Sequence, residues 1–403
     1  MAGLSPADRE LCRDMTLKVL DRALHDYADT ASWASGSSCS RFDAEHEGWR
    51  KLRSQGTVAM YAERTTDLDL AGATAMRDGG WHHPVAVVAV GRMSCSLEDV
   101  LYGLVASDPA EFKLRSVLMD RNAEDDVAVE AITVPSEGDP FQFMGVTRHV
   151  VNRGCFHRPH EFVLVSATGE VHTSCGEHLG YEVCQSVSMS RWPVNSTATR
   201  KQLIQARVLR ELPDGSVGVY YKVIVDSRNL TPDYVVQASL WHAVQDFWKT
   251  TPRCADAKKL CYCVEHRHTM RLSARHSPCG STCGVCGSPL VKGRRGSLGG
   301  IATSILHGAT GSAFSLAYRC ALCSASVCSK SRCCSMRQLV RIDRSSLDTN
   351  RQTVAICTCC AEAIRSENST EIARRGLQEV HASFKEKLPP YAGSCGKHRA
   401  PAS

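Results

Sequence analysis

The chain has 403 residues, 43% of them hydrophobic, so it is long enough for two or three domains that each bury a core. Residues 1–250 carry 25 basic and 33 acidic side chains (net −8), whereas residues 251–403 carry 23 and 9 (net +14). No stretch reaches the roughly 18 apolar residues of a membrane-spanning helix, and the first residues lack the pattern of a secretory signal. We therefore expect a cytoplasmic protein.

The basic half is typical either of a region that meets an anionic partner or of a solvated, positively charged tail. The 21 cysteines include several C-x2-C pairs. In a chain that is not secreted, this pattern favours metal ligands over disulfides.

The first predicted element is an amphipathic helix over 8–29. Ser5 can cap it, Pro6 suits its first turn, and Asp8 occupies the capping-box position. Its apolar residues recur at every fourth position, so the helix is expected to pack on the main domain; binding a partner is the alternative.

Short strands dominate the sequence up to residue 225. They are predicted at 57–63, 85–91, 112–119, 127–133, 146–151, 161–167, 179–187, 203–212 and 217–225. A loop with a short turn is expected at 68–80, and a short helix over 97–106 begins after the capping residue Ser96. Pro213, Asp214 and Gly215 predict a tight turn between the last two strands.

An apolar helix over 231–249 closes this part of the chain. The pattern predicts an α+β fold in which a curved antiparallel sheet is covered by the long final helix. If sheet and helix stay apart in the middle, an apolar cavity results, which is the usual form of a small-molecule site.

Three stretches resemble the START lipid-transfer domain. They read WRKLRSQGTVAMY from Trp49, LEDVLYGLVASD from Leu97 and RPHEFVLVSATGEVHTSCGEHLGY from Arg158. The resemblance implies a helix-grip domain over 8–250 that encloses one lipid. The wall candidates, which a filled core would also explain, are Val236, Leu240, Val244, Phe247, Phe162 and Tyr181.

Residues 251–278 are expected to be a linker. Six of its residues are either metal ligands or, more simply, exposed linker residues: Cys254, Cys261, Cys263, His266, His268 and His276.

The densest cysteine region lies between Cys279 and Cys360. It contains C-x2-C pairs at Cys283/Cys286, Cys320/Cys323 and Cys357/Cys360, with a fourth cluster starting at Cys328. Four paired thiolate clusters are what two tetrahedral zinc ions need.

The cysteine spacing resembles a FYVE-type finger over 279–365, which implies a small cross-brace zinc finger with two zinc ions. In such a finger the pairs interleave, the first with the third and the second with the fourth. The implied ligand sets are Cys320, Cys323, Cys357 and Cys360 for one ion, and Cys283, Cys286, Cys328 and Cys333 for the other.

One ligand departs from the FYVE spacing, because Ser331 stands where a cysteine is expected. Cys333 is predicted to complete the site through a longer loop. Cys334, Cys359 and a linker histidine remain alternatives.

The basic residues that clamp a phosphoinositide in FYVE fingers are mostly missing here, because only Arg319 is basic in its segment. Arg319, Lys330 and Arg332 are instead predicted to give weak contact with an anionic membrane. The resemblance implies peripheral attachment to endosomal membranes.

The rest of the C-terminal half has three expected parts. A flexible insertion covers 287–314, an amphipathic helix covers 371–388, and a disordered tail covers 389–403. The helix is expected to pack on the finger or the main domain, with a position on a membrane surface as the alternative.

We therefore expect a non-enzymatic, lipid-binding or lipid-transfer protein whose zinc finger provides membrane or protein attachment. The alternative is a RING-like ubiquitin ligase, or a zinc-finger scaffold whose START-like domain holds no lipid. Cys175 with His172 and His178 is a weak candidate for thiol catalysis, because neighbours in sequence seldom form a catalytic pair. Few aromatics accompany the cations, so no nucleic-acid partner is expected.

Overall fold

The computed structural model describes residues 3–31, 49–63, 81, 83–119, 127–151, 159–193, 198–227, 231–267, 281–291 and 315–387. These residues form an α+β protein in which a large antiparallel sheet carries helices on both faces and is followed by a cysteine-rich unit. The predictions for 68–80, for the insertion beyond residue 291 and for the tail lie outside the described residues.

Helix α1 (Pro6–Ala31) begins as predicted. The Asp8 N–H donates to Ser5 Oγ at 3.1 Å, and the Ser5 N–H donates to the Asp8 carboxylate at 3.2 Å. Val19 and Ala23 of α1 are buried against one face of the sheet. This confirms that the apolar stripe packs on the main unit; we call the covered surface the α1 face.

The sheet contains ten strands among the described residues. They are β1 (Trp49–Gln55), β2 (Val58–Glu63), β3 (Pro84–Met93), β4 (Val127–Thr133), β5 (Phe143–Val151), β6 (His160–His172), β7 (His178–Ser186), β8 (Thr199–Arg200), β9 (Leu203–Glu211) and β10 (Val217–Asp226). Their order is β1-β2-β3-β10-β9-β7-β6-β5-β4, with the short β8 beside β6.

Most of the sheet is the predicted antiparallel meander. The pairing of its last strand with a strand from the start of the chain was not predicted. Strands β4 to β10 follow one another, and β10 then pairs antiparallel with β3, so Tyr221 lies opposite Ala89. Gly215, with φ of 76°, forms the tight turn that joins β9 to β10. Strands β1 and β8 were not predicted.

Helices α2 (Leu97–Leu104) and α3 (Pro109–Met119) lie on the other face. Helix α2 is capped as predicted, because the Asp99 N–H donates to Ser96 Oγ at 3.2 Å. The strand predicted at 112–119 is wrong, since this segment belongs to α3. Asp108 caps α3 by accepting from the Glu111 N–H at 2.8 Å, and Pro109 occupies its first turn.

The closing helix α4 (Asp233–Glu265) is longer than the predicted 231–249 and takes up the first half of the predicted linker. A proline normally ends or kinks a helix, yet α4 continues past Pro252. Burial explains the continuation, because Cys254, Leu260 and Cys263 beyond the proline are buried.

The cysteine-rich unit combines short strands with two helices. Its elements are β11 (Leu290–Val291), β12 (Ser315–Arg319), β13 (Ser326–Cys328), β14 (Cys334–Ile342), β15 (Thr349–Cys357), α5 (Thr358–Ser366) and α6 (Ser369–Lys387). Strands β14 and β15 form a hairpin, and α6 matches the predicted helix closely. Asn368 caps α6, and Ala373 packs against the core of the main unit.

The sheet therefore has two differently covered faces. The face opposite α1, which we call the α4 face, packs against α2, α3 and α4. Its core joins Leu97 and Leu101 of α2 to Val244 and Phe247 of α4. The candidate ligand residues on α4 belong to this core or pack against it.

Candidate functional site

Two cysteine tetrads lie in the C-terminal unit. Within each tetrad all four sulfurs lie within 4.8 Å of one another, and three of the four residues are buried. The tetrads are Cys283, Cys286, Cys328 and Cys333, and Cys320, Cys323, Cys357 and Cys360. The structure thus groups the same eight cysteines that were predicted as ligands, in sets interleaved along the chain, and Cys333 is the fourth cysteine of the first set.

A tight turn presents the first pair of the first tetrad. The Cys283 N–H donates to the Ser288 carbonyl at 2.8 Å, and Gly287 adopts the left-handed φ of 69° that the turn needs. Cys286 Sγ lies 3.7 Å from Cys328 Sγ. Sulfurs about 2.3 Å from a tetrahedral zinc are about 3.8 Å apart, so this spacing fits zinc.

The second tetrad repeats the same turn. The Cys320 N–H donates to the Ala325 carbonyl at 2.9 Å, and Ser324 has a φ of 60° at the position of Gly287. Cys323 Sγ lies 3.8 Å from Cys357 Sγ, a distance that again fits two thiolates on one tetrahedral zinc.

Backbone N–H groups point at the sulfurs in both tetrads. The Cys328 N–H donates to Cys283 Sγ at 3.3 Å, and the Cys357 N–H donates to Cys320 Sγ at 3.4 Å. Such hydrogen bonds from a second layer of groups stabilise thiolates and orient metal ligands.

The thiols of each tetrad differ in pKa. Burial is the main reason that the pKa of Cys333 is raised to about 12, and the hydrogen bond with Cys320 is the main reason that the pKa values of Cys357 and Cys360 are raised. Hydrogen bonds from Cys323, Cys357 and Cys360 hold the pKa of Cys320 far below its usual range. A hydrogen bond from Ser288 is the main reason that the pKa of Cys286 falls to about 6. Thiolates are the form that binds metal, and each tetrad contains at least one thiol of low pKa. The grouping of four sulfurs is what allows each tetrad to hold a metal ion.

The alternative fourth ligands lie elsewhere. Cys334 is the first residue of β14 and pairs across the hairpin with Cys357, while Cys359 is exposed on α5. Neither belongs to a tetrad. His266 ends α4 and contacts Glu379 at 2.9 Å.

The predicted linker ligands are not grouped as a metal site in the described residues. Cys254, Cys261 and Cys263 belong to α4, where Cys254 and Cys263 are buried in packing rather than exposed. Their expected exposure was wrong because the helix continues through them. His268 and His276 lie outside the described residues.

The predicted lipid-wall residues do not all meet. Leu240, Val244 and Phe247 are buried in the core of the α4 face, and Val236 packs at its edge. Phe162 stacks on His149, which also contacts Phe112 of α3, so it lies on the same side.

Tyr181 faces the other way. It packs with the α1-face core, so it does not share a wall with α4. Successive side chains of a strand point to opposite faces of the sheet. The neighbouring Glu182 points toward α3, so Tyr181 points toward α1. Placing Tyr181 beside the other wall residues was therefore wrong.

A buried charged cluster on the α4 face was missed by the sequence analysis. Glu182 of β7 pairs with Arg207 of the adjacent β9 and with Arg115 of α3, the latter at 3.1 Å. Arg207 and Glu182 are only 7% and 6% exposed. The sequence did contain a signal for this cluster, because Glu182 and Arg207 are charged residues at inward-facing positions of two otherwise apolar strands.

Aromatic rings enclose the Arg207 guanidinium. Its centre lies 4.3 Å from the Tyr221 ring centroid and 4.2 Å from that of Phe247. Trp248 stands edge-on to Phe247, with ring centroids 5.2 Å apart. Burial lowers the pKa of Arg207 and raises that of Tyr221.

Two donors next to this cluster lack a partner among the described residues. They are Arg207 Nε and Trp248 Nε1, both buried. Buried donors in proteins are nearly always paired, so unpaired ones call for an explanation.

The predicted membrane-contact residues are neighbours in sequence of cysteines from both tetrads. Arg319 is exposed at the end of β12, and Arg332 is exposed in the loop that joins Cys328 to Cys333. Lys330 is half-buried in the same loop, and its carbonyl accepts from the Cys333 N–H at 2.8 Å. Separately, no helix in the described part of the chain is long and apolar enough to cross a bilayer.

The candidate thiol site forms a surface hairpin. Cys175 is exposed between β6 and β7 and hydrogen-bonds Thr173 Oγ1 at 3.0 Å. The His172 and His178 rings stack on each other, and His178 also pairs with Glu170.

No family model matches the sequence, and no curated protein does. Among solved structures, human StAR-related lipid transfer protein 5 is 11% identical, with 59% of this chain and 96% of that one covered and a TM-score of 0.39. The lipid transfer and protein localization domain of human StarD13 is 12% identical, with 53% and 91% covered and a TM-score of 0.36. A STAR-related lipid transfer protein fragment from Xanthomonas axonopodis is 10% identical, with 52% and 99% covered and a TM-score of 0.37. Such scores are too low to assign a function.

Proposed function

We propose that the N-terminal unit binds one apolar molecule with a polar group, of the lipid class, on the α4 face of its sheet. The observation that carries this proposal is the pair of unpartnered donors, Arg207 Nε and Trp248 Nε1, beside an apolar wall. An oxygen of the ligand's polar group would satisfy whichever of these donors it reached.

The energetics of burying charge favour a ligand-binding role for the cluster of Arg207 and Glu182. Burying a charged pair adds little or nothing to stability compared with apolar residues of similar volume. Arg207 and Glu182 therefore have a clearer role if they orient a ligand. The apolar part of the ligand would contribute about 25 cal/mol for each Å² removed from water, less the cost of ordering.

We further propose that each cysteine tetrad holds one zinc ion in a FYVE-type, cross-brace module. All-sulfur donor sets, tetrahedral spacing and the N–H groups directed at Cys283 and Cys320 support zinc. Its role would be structural, because a site of four protein ligands leaves no open position for a reactant.

Native mass spectrometry of the full chain tests both proposals at once. We expect two zinc ions and one co-purified apolar molecule for each chain. The test variant Arg207→Met/Glu182→Gln should lose the molecule but keep both metals. The control is Arg210→Met/Glu177→Gln, which removes a more exposed ion pair, 3.1 Å long, at the end of β9 and β7. Equal ligand retention in the two variants would contradict the assigned site.

We also propose that Arg319, Lys330 and Arg332 give the module a weak attraction to anionic membranes, on the order of 1 kcal/mol for each cation near the surface. Co-sedimentation with vesicles containing phosphatidylserine should exceed that with neutral vesicles and fall with added salt. Indifference to vesicle charge would exclude this role and leave protein attachment.

Interleaved cysteine pairs also occur in RING fingers, so a ubiquitin ligase is the second candidate. Its test is incubation of the chain with a ubiquitin-conjugating enzyme. Robust ubiquitin chains would favour the ligase, and their absence alongside bound lipid would favour the lipid-binding proposal.

A further inference from the structure

Helix α4 belongs to both units. Its first half contributes Leu240, Val244 and Phe247 to the core of the α4 face. Its last turns contribute Leu260 and Cys263 to a second core, which also contains metal-tetrad cysteines of the C-terminal unit. One helix therefore covers the proposed ligand site at one end and is part of the cysteine-rich unit at the other.

The two halves of α4 meet at Pro252. A proline has no N–H, so the hydrogen-bond ladder of the helix is interrupted there. Just before it, α2 approaches α4 so closely that a side-chain carbon at Gly103 would clash with the Thr251 carbonyl. The missing hydrogen bond makes this junction the point where α4 can bend most easily, and α2 packs closely against it.

Two buried lysines anchor the second half. Lys258 Nζ donates to the carbonyls of Tyr102 at 2.9 Å and Val105 at 2.6 Å, at the end of α2. Lys259 Nζ lies 2.6 Å from Asp99 Oδ1 and donates to the Glu367 carbonyl at 2.7 Å.

Asp99 joins three elements. Besides the contact with Lys259, its Oδ1 accepts from Ser369 Oγ at 2.6 Å, at the start of α6. A single carboxylate on α2 therefore holds α4 and the C-terminal unit together.

We propose that the cysteine-rich unit controls ligand release by clamping the second half of α4, with the Asp99–Lys259 ion pair as the clamp. This inference rests on the proposed ligand site. The first half of α4 is the cover that must move for a ligand to leave, and a fixed second half restrains its motion about Pro252. Loosening the clamp therefore raises the population of open states.

The test uses the full chain loaded with cis-parinaric acid, a naturally fluorescent fatty acid. Its release into excess phosphatidylcholine vesicles is followed by stopped flow. The variant Asp99→Asn/Lys259→Met removes both charges and touches neither the wall residues nor the tetrads. The control Asp14→Asn/Lys18→Met removes an exposed ion pair, 2.8 Å long, on α1.

We expect the clamp variant to release the probe about tenfold faster than wild type while it keeps two metal ions, and the control to match wild type. Hydrogen exchange of residues 240–251 should also be faster in the clamp variant alone. Unchanged release and unchanged exchange would overturn the clamp.

The proposed ligand site fails separately, if wild type binds no probe and co-purifies no lipid. In that case the exchange measurement still decides whether Asp99 and Lys259 restrain the first half of α4.

Discussion

Asp99 of α2 and Lys259 of α4 form an ion pair in which Lys259 Nζ lies 2.6 Å from Asp99 Oδ1, and the Lys259 side chain is 1% exposed. The two residues are far apart in sequence and belong to helices that meet only in the folded chain. Their contact connects the helix that covers the sheet to the cysteine-rich unit.

Replacing Asp99 with alanine should lower the free energy of unfolding by about 3 kcal/mol, because it removes the direct ion-pair partner of the buried Lys259 cation. Urea unfolding measures the change. The control Glu265→Ala breaks the ion pair between Glu265 and Arg341, whose side chains are 49% and 39% exposed, respectively. This change should lower the free energy of unfolding by at most about 0.5 kcal/mol. Equal losses would show that the Asp99–Lys259 pair is energetically an ordinary surface contact.

Replacing Cys333 with serine should reduce the metal count from two ions to one, because Cys333 completes the first tetrad. Cys334→Ser is the matched control, since the neighbouring thiol lies outside both tetrads and should leave two ions bound. Native mass spectrometry gives the counts. Loss of metal from Cys334→Ser, with two ions kept by Cys333→Ser, would reverse the assignment.

Replacing Glu161 with glutamine should destabilise the fold by about 3 kcal/mol. Its carboxylate is 1% exposed and pairs with Arg148 at 2.8 Å and Arg200 at 2.9 Å, so the change leaves two cations without their shared partner. Thermal unfolding compares this variant with Glu10→Gln, whose ion pair with Arg13 is exposed. A similar melting temperature for both variants would contradict the prediction.

His149 should make the fold sensitive to acid. Burial, and secondarily the charge of Arg115, lower the pKa of His149 to about 3. A histidine in the unfolded chain has a pKa of about 6.5. Its contribution to stability is therefore complete above pH 6.5 and is lost as the pH falls toward 3, by roughly 1.4 kcal/mol for each pH unit.

The variant His149→Phe isolates this effect, because the carboxylates titrate in both proteins. Between pH 7 and pH 4.5, wild type should lose about 2.5 kcal/mol more unfolding free energy than the variant. Urea unfolding at the two pH values provides the comparison. Parallel losses would mean that His149 is not kept neutral in the folded chain.

Local chemistry made much of the fold predictable. The Ser5–Asp8 cap, the β-branched run of β3 and the turn at Gly215 each act within a few residues, so sequence alone located them. The segment that forms α3 was predicted as a strand because its apolar positions fit both the repeat of a helix and the alternation of a strand. Its cap at Asp108 was the signal that distinguishes the two.

The spacing of the C-x2-C pairs predicted which neighbouring cysteines act together, because one tight turn can place two sulfurs on one ion. The resemblance to a FYVE-type finger implied which pairs combine, and the fold groups the same eight cysteines. The identity of the eighth ligand depended on the loop between Cys328 and Cys333. The sequence predicted Cys333 while leaving other cysteines open, and the fold brings Cys333 to the tetrad.

Only the tertiary structure decided how the two halves are joined. By local sequence alone, Pro252 indicates the end of a helix. In the fold α4 continues past Pro252, because Leu260 and Cys263 beyond it are buried. Likewise, the pairing of Glu182 with Arg207 depends on strand order and on which side of β7 and β9 faces inward. Such long-range contacts arise from packing between distant segments, which no local pattern encodes, whereas caps, turns and cysteine pairs are encoded within a few residues.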